Sequence, residues 1–281
     1  MAEVFLPNVT SKEEFLDILE LLYRINKHSL LLPSHHPETE AIVHKNMRMG
    51  IGLTGIMQCT EEQLSWMDDG YEFLREFDDM YSEENDMNRS VKLTTVKPSG
   101  TLSLLPGVTP GIHPGYAQFM YRRIRIATEN PLAELCRKSG YPTEYVKNFD
   151  GSEDYNTVVV TFPFSYPEGT TLAKDMTALD QLKAVQRLQA SWSDNSVSCT
   201  VYYKKEEIPM IREYLEKHYK TKHKSLSFLL HKDHGFLQAP YEEVTREQYE
   251  ALITSTVPIN AVAAAEFEGA DECATGVCPV R

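Results

Sequence analysis

A chain of 281 residues with 42% hydrophobic side chains is long and apolar enough to bury a core as one large domain or two small ones, so it does not read as a disordered segment. Its 41 Asp and Glu outnumber 28 Lys and Arg, and the formal charge of −13 repels a phosphodiester backbone, which argues against nucleic acid as a partner. Leu30-Leu31-Leu32 is too short an apolar run to span a membrane and the acidic Met1-Ala2-Glu3 does not resemble a signal peptide, so the expected location is cytoplasmic.

Ala2-Glu3-Val4-Phe5-Leu6-Pro7 reads as a strand already under way, as in a piece of something larger. Ser11-Lys12-Glu13-Glu14 has capping-box spacing, and Phe15, Ile18, Leu19, Leu22 and Ile25 follow at helical intervals, which predicts a helix over 12–28. A second helix is expected after Pro37. Thr60-Glu61-Glu62-Gln63 opens a third, with Leu64, Met67, Tyr71 and Leu74 turned inward and the Asp/Glu-rich stretch to Glu84 as its solvated end. Strands are predicted at 93–96, 121–127, 157–162, 196–203 and 225–230. Between and after them, Leu179, Leu182, Val185 and Leu188 mark one helix, Ile208, Ile211 and Leu215 another, and Thr245-Arg246-Glu247-Gln248 caps a last. This alternation places the chain in the α/β class. From Pro258 onward the Ala-, Glu- and Gly-rich sequence reads as a tether.

The densest turn chemistry lies at Lys97-Pro98-Ser99-Gly100-Thr101-Leu102-Ser103 and at Pro106-Gly107-Val108-Thr109-Pro110-Gly111-Ile112-His113-Pro114-Gly115. A strand that runs into Pro98-Ser99-Gly100-Thr101 offers backbone N–H groups and two hydroxyls, donors suited to phosphate oxygens; a plain turn is the simpler reading of an isolated Ser-Gly-Thr. The second segment, with apolar Val108, Ile112 and Tyr116, reads as an ordered loop. Arg123 and Arg125 share a strand face that either meets a polyanion or is salt-bridged, the second being the commoner outcome. His35, His36 and His44, and His231 with His234, lack the spacing of a metal site, and no dinucleotide, Walker or nucleophile-elbow motif is present.

Cys59, Cys136 and Cys199 are isolated in ordinary segments and are expected as buried free thiols. Cys273 and Cys278 differ: five positions apart with a Gly-containing spacer, they form a mobile dithiol, a short disulfide staple or half of a zinc site. As flexible coil, the stretch from Pro258 to Cys273 reaches roughly 20 Å, which would present the pair to a nearby cleft at a concentration on the order of millimolar.

Thr95 to Pro114 as a block closely resembles the adenosylcobalamin-dependent (class II) ribonucleotide reductases, in particular the ribonucleoside-triphosphate reductases. Arg48-Met49-Gly50-Ile51-Gly52-Leu53-Thr54-Gly55, Ala173-Lys174-Asp175-Met176-Thr177, Trp192-Ser193-Asp194-Asn195-Ser196-Val197-Ser198 and the terminal Cys-x4-Cys follow in the family's order. The resemblance implies the C-terminal half of a ten-stranded α/β barrel over 1–257 and a flexible redox tail over 258–281. It implies that Pro98, Ser99, Gly100 and Thr101 bind the phosphates of a ribonucleoside triphosphate. It implies that Cys273 and Cys278 re-reduce an active-site disulfide and are recharged by thioredoxin. Adenosylcobalamin is the implied cofactor, with His113 as a candidate contact chosen for the irregularity of its loop.

The family's radical cysteine, its Asn-Pro-Cys-x-Glu motif and a redox cysteine precede the segment that matches Ala2-Glu3-Val4-Phe5-Leu6. An N-terminal reductase half is therefore an expected partner. The alternatives are an inactive binding or scaffold remnant and a stand-alone thiol-disulfide oxidoreductase. The second lacks a Cys-x-x-Cys at a helix N-terminus to stabilise a thiolate.

Overall fold

The computed structural model describes residues 1–230 and 237–259. In chain order the elements are β1 (Ala2–Phe5), α1 (Lys12–Ser29), α2 (Pro37–Asn46), β2 (Ile51–Thr54), α3 (Glu61–Glu84), β3 (Thr94–Thr95), β4 (Phe119–Ala127), α4 (Pro131–Lys138), β5 (Thr143–Lys147), β6 (Glu153–Ser165), α5 (Ala178–Ser191), β7 (Thr200–Tyr203), α6 (Ile208–Lys222), β8 (Ser227–Leu230), β9 (Tyr241–Glu243) and α7 (Arg246–Ser255). They fall into two compact units, one of residues 1–115 with 166–230 and one of 116–165 with 237–259.

The first unit is built on parallel strands. β1 pairs with β2 and β2 with β3, a parallel bridge from Val96 to Val197 continues the order, and β7 pairs with β8. The resulting order β1-β2-β3-β7-β8 is a half-barrel sheet, with α1, α3, α5 and α6 in the connections. Parallel neighbours need such crossovers, which is why strand and helix alternate here. Alternation along each strand sorts the side chains: Val4, Ile51, Leu53, Val96, Val197, Cys199 and Val201 join the apolar cluster with Phe15, Leu19, Met67, Leu74, Leu182, Val185 and Trp192 from the helices. Glu3, Gly52, Thr54, Thr95, Thr200 and Tyr202 alternate with them and occupy the opposite face. One face of the sheet is thus an apolar seat for helices and the other is largely polar, with Phe5 and Leu229 among its apolar members, whereas an ordinary parallel sheet is apolar on both.

The helix starts follow local chemistry. Ser11 Oγ accepts from the Glu14 N–H, and Thr60 and Thr245 form reciprocal capping boxes with Gln63 and Gln248. α1 and α3 approach closely at Gly70, where a Cβ would lie 2.6 Å from Phe15 Cε1. The acidic end of α3 is solvated as expected at Glu72, Glu76, Asp79, Glu83 and Glu84, and departs from that expectation at one residue, Asp78. Asp78 is buried against Lys27 of α1, with Nζ 2.8 Å from Oδ1; Oδ1 also accepts from Tyr23 OH at 2.6 Å and Oδ2 from the Ser90 N–H at 2.8 Å. Lys27 donates to Asn88 O and Ser90 Oγ as well, so all three ammonium protons are used.

The second unit is an antiparallel sheet of order β5-β6-β4-β9 with α4 and α7. Ala133 and Cys136 of α4 close a small core on Val158 and Val160. α4, β5 and β9 carry no clear periodicity in the sequence, and β2 stands out there only as part of the Arg48–Gly55 motif. Arg123 is ion-paired with Glu242, the salt-bridged alternative for this face, and Arg122 lies 4.5 Å from the Tyr241 ring centroid. No helix among the described residues is long and apolar enough to cross a membrane.

Candidate functional site

Ligands of open parallel sheets gather at the carboxyl ends of the strands. At that end of β3 the chain bridges through Val96 to Val197, three residues ahead of β7, then turns at Pro98-Ser99-Gly100-Thr101 into a short 3-10 helix over Leu102–Leu104. All four residues expected to bind phosphate form this one turn. Ser99 adopts a left-handed backbone with φ 46°, uncommon for a residue with a Cβ. The backbone N–H groups of Ser99 and Thr101 and the Thr101 hydroxyl make no hydrogen bond among the described residues. A Cβ added at Gly100 would meet nothing within 4 Å.

Ser99 Oγ donates to Glu3 Oε1 at 2.7 Å, and Lys97 Nζ is 2.5 Å from Glu3 Oε2. The Glu3 side chain is 2% exposed and crosses β2 above Gly52, where a Cβ would lie 2.7 Å from Oε2. Neither Glu3 nor Lys97 was singled out from sequence. The available signal was a charged residue inside an apolar strand whose register partner is glycine.

The 106–115 loop is ordered by the end of β2. Gly55 N–H donates to Thr109 O, Ile56 N–H to Gly111 O, Gly111 N–H to Thr54 Oγ1 and Thr109 N–H to Gln58 Oε1. Gly111, at φ 57°, passes so near Lys97 that a Cβ would lie 2.0 Å from its carbonyl oxygen, which locks this loop to the strand leading into the Ser99 turn. His113 completes the seam. Nδ1 is 3.1 Å from Pro110 O, and Nε2 accepts from the Thr200 N–H at 3.0 Å, a pattern that requires the proton on Nδ1. Burial pushes its pKa below the ordinary value, partly opposed by the Pro110 carbonyl, so the ring is neutral.

Of the three described thiols Cys136 and Cys199 are buried as expected, while Cys59 is half-buried with its Sγ 3.5 Å from Gly55 O. Cys199 and Cys59 belong to the apolar side of the sheet, and burial pushes each up to about 12; Cys136 is buried in the second unit. Cys273 and Cys278, like His231 and His234, lie outside the described residues. No group of three His, Cys, Asp or Glu side chains among the described residues is arranged to hold a metal ion.

Residues 83–229 match the family model for the ribonucleotide reductase barrel domain. An adenosylcobalamin-dependent ribonucleoside-triphosphate reductase of Euglena gracilis is 34% identical over 259 residues, which covers 90% of this chain and 35% of that protein. A probable adenosylcobalamin-dependent ribonucleoside-triphosphate reductase of Dictyostelium discoideum is 33% identical, covering 92% of this chain and 35% of its own length. The solved structure of a B-12 dependent (class II) ribonucleotide reductase superposes with a TM-score of 0.79 at 26% identity, over 96% of this chain and 41% of that one. The chain therefore spans about a third of the length of these curated relatives.

Proposed function

The chain belongs to the ribonucleotide reductase barrel-domain family, and from that premise we propose that it is the C-terminal catalytic part of an adenosylcobalamin-dependent ribonucleoside-triphosphate reductase, acting with an N-terminal half. Its task is to hold the substrate's phosphates and to return reducing equivalents. The observation that carries the reading is the Pro98–Thr101 turn, whose Ser99 and Thr101 N–H groups make no hydrogen bond among the described residues, at the carboxyl end of a strand that places polar Thr95 beside Gly52 and Glu3. Neutral donors there bind phosphate oxygens without requiring a cluster of cations, in keeping with the chain's net charge of −13.

Adenosylcobalamin supplies radical initiation in the family, and the 106–115 loop is our candidate for the surface that faces it. His113 does not fit as a cobalt ligand, because both ring nitrogens are bonded within the chain. A contact from His113 would go through the carbon edge of its ring. What this residue does in the described structure is hold the loop against β7.

Cys273 and Cys278 are proposed as the relay. Their two thiols reduce an active-site disulfide to two thiols and become a disulfide themselves, and thioredoxin then reduces that disulfide in the cytoplasm. Raised pKa values leave Cys59 and Cys199 poor nucleophiles for the same step.

The test is reconstitution. This chain is combined with an N-terminal half bearing the radical cysteine, CTP, adenosylcobalamin and thioredoxin with its reductant. Formation of dCTP supports the reading. Cys273→Ser or Cys278→Ser should abolish multiple turnover and leave a single turnover from the pre-reduced complex. Loss of both would remove the relay, and absence of dCTP from the intact complex would favour an inactive remnant.

A further inference from the structure

We infer that Glu3 is a positioning residue of the phosphate site: it holds the Ser99 side chain inward, so that the turn meets the anion with the backbone N–H groups of Ser99 and Thr101 and with the Thr101 hydroxyl, not with the Ser99 hydroxyl. This rests on the phosphate-site reading given above.

A serine hydroxyl has one proton to donate, and phosphate oxygens at neutral pH accept. The Ser99 proton is already placed on Glu3 Oε1 at 2.7 Å. To turn toward a phosphate, Ser99 would give up a charge-assisted bond to a carboxylate that is buried and fixed from its other side by Lys97. The backbone agrees. At φ 46° Ser99 occupies a region disfavoured for a residue with a Cβ, and the bond to Glu3 is the side-chain contact that holds it there. Thr101 is placed differently: its side chain is exposed at the start of the 3-10 helix and its hydroxyl is unspent.

Space for this arrangement comes from β2. Glu3 and Gly52 are register partners on the polar face, and the missing side chain at Gly52 is what lets the carboxylate cross to Lys97 and Ser99. Lys97 balances the buried charge, so the anion arriving above the turn meets a neutral pair.

The experiment is isothermal titration of the purified full chain with CTP in a double-mutant cycle, with far-UV circular dichroism melts on every variant. Ser99→Ala should weaken binding about tenfold in the parent chain and less than about twofold in a Glu3→Ala background, because the two residues act through one bond. Thr101→Val should weaken binding about tenfold in both backgrounds. Glu3→Gln keeps an acceptor for Ser99 and should stay within about threefold of the parent. Should Glu3→Ala fail to fold, the cycle is read in the Glu3→Gln background, where the Ser99→Ala loss shrinks to about threefold because the bond is no longer charge-assisted.

An equal Ser99→Ala loss in parent and Glu3 backgrounds, or an inert Thr101→Val, overturns the assignment while leaving the phosphate site in place. No CTP binding by the folded parent chain at millimolar nucleotide overturns the phosphate-site reading and this inference with it.

Discussion

Replacing Lys27 with Met leaves Asp78 buried without its cation, and the consequence can be worked from the structure. Asp78 is stabilised by three strong contacts, from Lys27 Nζ, Tyr23 OH and the Ser90 N–H; the substitution removes the only charged one. Burial by itself would raise the Asp78 pKa, but the hydrogen bonds from Lys27, Tyr23 and Ser90 outweigh it and hold the carboxyl below its ordinary value. Breaking such a pair from one side costs about 3–5 kcal/mol. Trp66 and Trp192 are both buried in the same core as α1 and α3, so tryptophan fluorescence in urea reports on this unit. With a urea slope of about 2 kcal/mol per molar, the midpoint should fall by about 1.5–2.5 M.

The pH dependence should also change sign. In the parent chain the depressed folded pKa of Asp78 contributes stability above the unfolded value of about 3.9, lost as pH falls through the folded pKa. In Lys27→Met, burial without the ammonium raises the folded pKa, so stability is greatest at low pH and falls as pH rises from about 4. Lys27→Met/Asp78→Leu removes both charges and should recover most of the loss. A midpoint shift below about 0.5 M with an unchanged pH profile would refute the reasoning.

Gly111→Ala brings a Cβ to 2.0 Å from the Lys97 carbonyl at a left-handed φ, and is expected to abolish CTP binding, read by titration, while Gly107→Ala, also left-handed but with open space around the added methyl, costs only about 1 kcal/mol in a thermal melt. His113→Ala strips the part-buried Thr200 N–H of its acceptor at a cost of about 1 kcal/mol, so hydrogen exchange at the Thr200 amide should accelerate. Because the folded His113 pKa is depressed, the parent loop should lose stability as pH falls below about 6.5, the unfolded value, and that acid sensitivity should be absent in His113→Ala. Of the five cysteines, at most two should react rapidly with a disulfide reagent at pH 8 in the native chain, because desolvation raises the pKa of half-buried Cys59 and of buried Cys136 and Cys199 alike; a third fast thiol would contradict those raised pKa values.

What the sequence by itself determined is whatever depends on neighbours a few residues away. The caps at Ser11, Thr60 and Thr245 satisfy N–H groups three residues on, and the helical spacing of Phe15, Leu19 and Leu22 or Leu182, Val185 and Leu188 fixes an apolar stripe. The turn at Pro98–Thr101 was legible for the same reason, and the order of motifs from Arg48 to Ser198 identified the family. The shortest unforeseen element gave no such signal: β9 keeps three residues in regular pairing, too few for a period to show.

Tertiary structure alone decided what each polar group is for. The acidic run of α3 has the composition of a solvated face, yet one of its residues, Asp78, meets a lysine 51 positions away. Ser99 has the composition of a ligand, yet its proton goes to Glu3, 96 positions earlier, across a gap left by Gly52. His113 sits in an irregular loop that invited a cofactor, yet its Nδ1 is held by Pro110 O in that loop and its Nε2 ties the loop to Thr200, 87 positions on. A side chain's type says which bonds it can make. Which it does make depends on the partner the parallel sheet brings beside it, and that partner lies beyond the reach of any local pattern.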